Sequence, residues 1–93
     1  MSLESKIEEK FVRWCENQGW ECLKLRIDGQ KGFPDRTILR PSGLVTFCEL
    51  KRPGGTTSAQ QDEWLRKLQA LGFGAGCFDN LSDLQDFLGS DLL

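Results

Sequence analysis

The run "DRTILRPSGLVTFCELK", residues 35–51, constrains the fold more than any other part of this 93-residue chain. Both arms are rich in branched and aromatic residues, and Pro41-Ser42-Gly43 between them is a turn with a chemical cause. Proline presets φ at the second position of a type I turn, and glycine accepts the left-handed conformation that closes a three-residue hairpin. The arms should therefore pair antiparallel. If Arg40 and Leu44 close the loop, Ile38 faces Thr46 and Asp35 faces Glu49. Directly opposed residues have Cβ atoms about 4.5–5.5 Å apart on one sheet face. Lys51, two residues beyond Glu49, projects from that face too.

Around the hairpin the patterning is mostly helical. Residues 3–18 carry Ile7, Phe11, Trp14 and Cys15 at helical spacing, with Gly19 as the stop. "WECLKLRI", residues 20–27, predicts a strand before the turn-like "DGQKG". "RPGGTT" ends the second arm of the hairpin, and a helix over 58–71 follows. Its N-cap is Ser58, Asp62 and Glu63 lie in its early turns, and Trp64, Leu65, Leu68 and Leu71 form its apolar stripe before Gly72. "FGAGCFD" reads as a short strand and "SDLQDFLG" as a final helix capped by Ser82. The order α-β-β-β-α-β-α predicts an α/β sandwich on a small mixed sheet, in one domain over 1–93.

Composition removes several classes. No apolar run approaches the roughly 18–20 residues that span a bilayer, and "MSLESKIEEKF" lacks the apolar centre of a signal peptide. The expectation is a soluble intracellular protein, cellular or phage-encoded. Cys15, Cys22, Cys48 and Cys77 form no CxxC pair and there is no histidine, so a zinc site is not expected and the thiols read as buried and reduced. The net charge of −2 argues against a protein that coats nucleic acid, but it is unevenly spread. From Lys24 to Arg52 there are seven basic residues against three acidic ones, so an anionic partner would be drawn to the middle of the chain.

The hairpin geometry raises a charge problem. Two facing carboxylates repel, and partial burial strips their hydration, so something positive should stand between them. Lys51 can serve as a structural counterion, or both acids can hold a divalent cation. Magnesium suits the second case because it takes oxygen ligands, keeps several waters and commonly needs only one or two protein carboxylates. Asp, Glu and Lys together are what phosphodiester hydrolysis would require. The competing reading is a half-exposed strand with solvated charges.

Pro34-Asp35 followed by Glu49-Leu50-Lys51 resembles the PD-(D/E)xK nuclease motif. In particular "GFPDRTIL…VTFCELKRPGG…SAQQDEWLRKLQALGF" resembles the virus-type replication-repair nuclease (VRR-NUC) domain, over about residues 4 to 80. The resemblance implies a restriction-endonuclease-like α-β-β-β-α-β core and a DNA endonuclease dependent on Mg²⁺ or Mn²⁺. It implies Asp35 and Glu49 as metal ligands, the carbonyl of Leu50 as a further one, and Lys51 as the catalytic lysine. The family's glutamine matches Gln61, with Gln60 the alternative, and Ala59 replaces the usual proline. A glutamate from the first helix, eleven residues before Gly19-Trp20, falls on Glu8, with Glu4 the competitor. Small standalone members resemble Holliday-junction resolvases, which implies branched DNA and a homodimer.

Lys24, Arg26, Lys31, Gly32, Arg36 and Arg52 are then candidate contacts to a DNA backbone, and Phe33 a candidate stacking residue beside Asp35. Arg36 and Arg40 can equally be polar edge residues of the strand. A non-catalytic DNA-binding or assembly module with the same fold is the alternative function.

Overall fold

A computed structural model describes residues 3–89, with side chains from Ser5 onward. Helix α1 spans Leu3–Asn17, β1 Glu21–Leu23, β2 Arg36–Arg40, β3 Leu44–Leu50, α2 Ala59–Ala70, β4 Gly74–Phe78 and α3 Leu81–Gly89. The strands form one sheet in the order β1-β2-β3-β4; β1, β2 and β3 are antiparallel neighbours, and β4 runs parallel to β3. The expected mixed α/β arrangement is therefore present.

Helix α1 ends because Gly19 adopts φ +82°. Its N–H then reaches the carbonyl of Glu16 and that of Trp20 reaches Cys15, at 2.9 and 3.1 Å, which satisfies two otherwise orphan carbonyls of the last turn. Helix α2 ends by the same pair of bonds around Gly72. Helix α3 is capped by Asn80, whose Oδ1 accepts the Asp83 N–H at 2.8 Å, and not by the expected Ser82. The cap lies two residues earlier because the chain turns directly out of β4.

Period-two alternation gives the sheet two different faces. Ile38, Cys48 and Leu50 face α1 and α3, where they join Phe11, Cys15, Leu84 and Leu88 in a core with no exposure. Phe47 and Ala75 face α2 and pack with Leu65 and Leu68, flanked by Phe33, Val45, Trp64 and Cys77. Cys15 and Cys48 are buried, Cys22 and Cys77 half-buried, and all four are free thiols.

The hairpin register is the expected one, from Arg40↔Leu44 through Ile38↔Thr46 to Arg36↔Cys48. The turn itself differs. Ser42 stands at φ 67° and Gly43 at φ 73°, and a positive φ at the third turn position belongs to a type II turn, not to type I. The strand expected over 20–27 stops at Leu23, which pairs with Thr37. One step further Lys24 would face Arg36, and β2 offers no partner beyond that.

Arg40 is no edge residue. It lies 5% exposed in the interior of the sheet, donates to Leu88 O at 2.7 Å and Thr46 Oγ1 at 2.9 Å, and stacks over Trp20 at 5.3 Å. With β1 outside it, β2 is a central strand, and an arginine on its inner face must find partners in the protein.

Candidate active site

Glu49 alternates with Phe47 on the α2 face of β3 and is 2% exposed. Its two oxygens are held by different elements. Oε2 accepts the backbone N–H of Asp35 at 3.0 Å, just where β2 begins. Oε1 accepts from Gln61 Nε2, and Lys51 Nζ lies 3.9 Å from it. The Asp35 carboxyl is near enough to raise the Glu49 pKa by its charge and as a hydrogen-bonding neighbour. The backbone ladder stops one pair short of Asp35↔Glu49, so Asp35 meets the glutamate side chain instead of its main chain.

This arrangement has an electrostatic consequence. Burial first, and then the adjoining Asp35 carboxyl, push Glu49 up to about 8; the Asp35 N–H and the Lys51 charge pull the other way and lose. Without a cation, Glu49 keeps its proton through neutral pH.

Gln61 is fixed from two sides. It is the third residue of α2 and forms a capping box with Ser58: its N–H donates to Ser58 Oγ at 3.2 Å, and its Oε1 accepts the Ser58 N–H at 2.8 Å. With the amide oxygen thus engaged, the amide nitrogen is directed at Glu49. Gln60, the alternative, is exposed and packs beside Gly32.

The turn between Lys51 and α2 is tied to β4. Asp79 Oδ2 accepts the Gly54 N–H at 3.1 Å, and this bond, with a second from Asn80, keeps the Asp79 carboxyl below the usual carboxylate range. Thr57 donates to Asp62 on the far side of the same turn. Sequence reading did not single out Asp79. The available signal was an acid directly after a strand whose parallel neighbour ends in Glu-Leu-Lys.

Lys24, Arg26, Lys31 and Gly32 line an open groove of about 870 Å³, together with Phe33 and Asp35. Gln60, Glu63, Trp64 and Lys67 of α2 form its other wall. Gly32 stands at φ +87°, and a Cβ there would lie 2.6 Å from the Gln60 carbonyl carbon, so its close approach is to α2. Phe33 is not free to stack on a base: it meets Phe47 and Trp64 edge-on at 5.5 and 5.1 Å. Arg52 is exposed just past Lys51, and Leu50 is buried between Glu49 and Lys51 at the end of β3.

Glu8 and Arg36 are brought together elsewhere. Arg36 shares the α1 face with Cys48 and donates to Glu8 Oε1 at 2.5 Å; Lys24 Nζ lies 3.6 Å from the same oxygen. Glu8 is thus held by two cations on the face opposite Glu49, and Arg36 is not turned outward toward a backbone. The side chain of Glu4 lies outside the described residues. Among the described residues no group of three or more His, Cys, Asp or Glu side chains gathers that could hold a metal, and no helix is long and apolar enough to cross a membrane.

No family model matches the sequence. The chain is 33% identical over 69 residues, 74% of its own length and 74% of the relative's, to "Putative nuclease p44" of Acyrthosiphon pisum secondary endosymbiont phage 1. Among solved structures, one described as a VRR_NUC domain superposes with a TM-score of 0.88, at 18% identity, covering 97% of this chain and 98% of the other.

Proposed function

The chain belongs to the VRR-NUC nuclease family, and on that premise we propose that it is a DNA endonuclease that works with a bound Mg²⁺ or Mn²⁺. The observation that carries this reading is the Asp35–Glu49 carboxyl pair with Gln61 and Lys51 converging on Glu49 Oε1.

The donor set fits a hard divalent cation. The Asp35 backbone N–H binds the Glu49 carboxyl, which places two acids side by side, one of them 2% exposed and short of the positive charge its burial calls for. Asp35 is half-buried and borders the groove, which leaves water access to the remaining coordination positions. Asp35, Glu49 and the carbonyl of Leu50 would hold the ion. When bound, it supplies Lewis-acid polarisation of the scissile phosphodiester and a more acidic water.

The chain's own residues do the rest. Gln61 fixes the rotamer of Glu49 through an amide that the helix cap has already oriented. Lys51 places an ammonium next to the pair, where it can stabilise negative charge as it develops on the phosphate. Lys24, Arg26 and Lys31 hold the DNA backbone along the groove that ends at Asp35, with Arg52 beyond Lys51. Glu8 contributes through Arg36 and Lys24 by positioning the first helix against β2. Branched DNA is the preferred substrate, and a homodimer would present two such sites to two symmetric strands.

Incubation with labelled linear, nicked and four-way DNAs, with and without Mn²⁺, tests the proposal. Metal-dependent cuts that vanish in Lys51→Ala are expected; cleavage that persists in Lys51→Ala, or in EDTA, would overturn it.

A further inference from the structure

After Leu23 the chain leaves the sheet and exposes two large apolar side chains, Leu25 at 44% and Ile27 at 43%. Both line the groove that ends at Asp35, interleaved with Lys24 and Arg26, and Lys31 stands further along the same wall. A surface that only grips phosphates has no use for exposed Leu and Ile between its cations. Basic residues that hold the backbone while apolar side chains enter a base step are, in contrast, the composition of a DNA wedge.

The segment is anchored at both ends. It leaves β1 directly after Leu23, which is paired with Thr37, and at its other end Gly32 is packed so closely on Gln60 of α2 that no Cβ would fit. A wedge needs that support, since it must displace a base and not be displaced itself. Unstacking is expensive in a continuous duplex and cheapest where the stack is already interrupted.

We infer that Leu25 and Ile27 form an apolar wedge that enters an interrupted base stack while Lys24, Arg26 and Lys31 hold the flanking phosphates, selecting branched or nicked DNA over continuous duplex. This deepens the nuclease reading and rests on its assignment of DNA to the groove. Each side chain has somewhat under half of its surface left to bury, so the pair together contributes about a tenfold preference.

The test is binding in EDTA, where no cleavage occurs, to a four-way junction, a nicked duplex and a continuous duplex carrying 2-aminopurine at the equivalent step. The wild-type protein is expected to raise the fluorescence at the interrupted steps and to bind them more tightly than the continuous duplex. In the Leu25→Ser, Ile27→Ser double variant the rise should disappear and the preference fall about tenfold, with the salt dependence unchanged because the cations remain. Leu25→Met with Ile27→Met, which keeps the wedge apolar, should retain both. An unchanged fluorescence rise or preference in the serine variant overturns the inference. So does a fall in its mass by light scattering, which would mean that a second copy covers these side chains. If the wild-type protein cuts nothing in Mg²⁺ or Mn²⁺ yet shows the fluorescence rise, the catalytic reading fails and the wedge stands.

Discussion

Gln61 joins the helix cap to the acidic pair, and removing it should cost stability in two separable parts. Gln61→Ala deletes the bond from Ser58 N–H to Oε1, an exposed capping interaction of about 0.5–1 kcal/mol. It also deletes the donor to Glu49 Oε1. Above pH 8, where Glu49 is ionised, that bond is charge-assisted and its loss costs about 1.5–3 kcal/mol; well below pH 8 Glu49 is protonated and the cost falls to about 0.5–1.5 kcal/mol. Urea unfolding of Gln61→Ala, Glu49→Ala and the double variant, at pH 6 and pH 9 without metal, isolates the Glu49 part as a coupling energy. The expected coupling is about 1 kcal/mol at pH 6 and about 2 at pH 9. A coupling near zero at both pH values would refute the claim that Gln61 positions Glu49, and would leave it a helix cap only.

Other expectations follow from the same geometry. Glu49 has a folded-state pKa raised above its unfolded value, so its contribution to metal-free stability is complete below about pH 4.5 and is lost as pH rises through about 8. The loss should be on the order of 5 kcal/mol and should shrink in Asp35→Asn, as pH-dependent denaturation would read. Gly32→Ala combines a positive φ with a Cβ 2.6 Å from Gln60 and should cost more than about 2 kcal/mol in thermal unfolding. Gly29→Ala, with φ +76° but open space, should cost about 1 kcal/mol. Phe33→Ala should lose about 3 kcal/mol of stability, since the ring packs on Phe47 and Trp64, and should leave the salt slope of DNA binding unchanged.

The hairpin was legible because its register follows from turn length alone, and that register carries Asp35 to Glu49 and Lys51 to the same face. Helices α1 and α2 were legible from spacing, and Ser58 from its place before the apolar stripe. What failed depended on which strand lies beside which. "WECLKLRI" has the composition of a strand, but β2 begins at Arg36 and gives it only three partners. Arg40 read as an edge residue because nothing local says that β1 covers that edge. Glu8 was placed by a count along the helix, and helical position does not say which sheet face a helix covers; α1 covers the one opposite Glu49. Phe33 lies in a loop by sequence, yet it closes the second core because the groove wall folds back on Trp64.

Cleavage by this chain requires that Asp35 and Glu49 together hold a divalent cation. Calorimetric titration of the metal-free protein with Mn²⁺ at pH 8, run in parallel on Asp35→Asn and Glu49→Gln, tests it most directly. The wild-type protein should bind with release of a proton, and both variants should lose that binding and DNA cleavage. Mn²⁺ binding of equal strength in either variant, with cleavage retained, would contradict it.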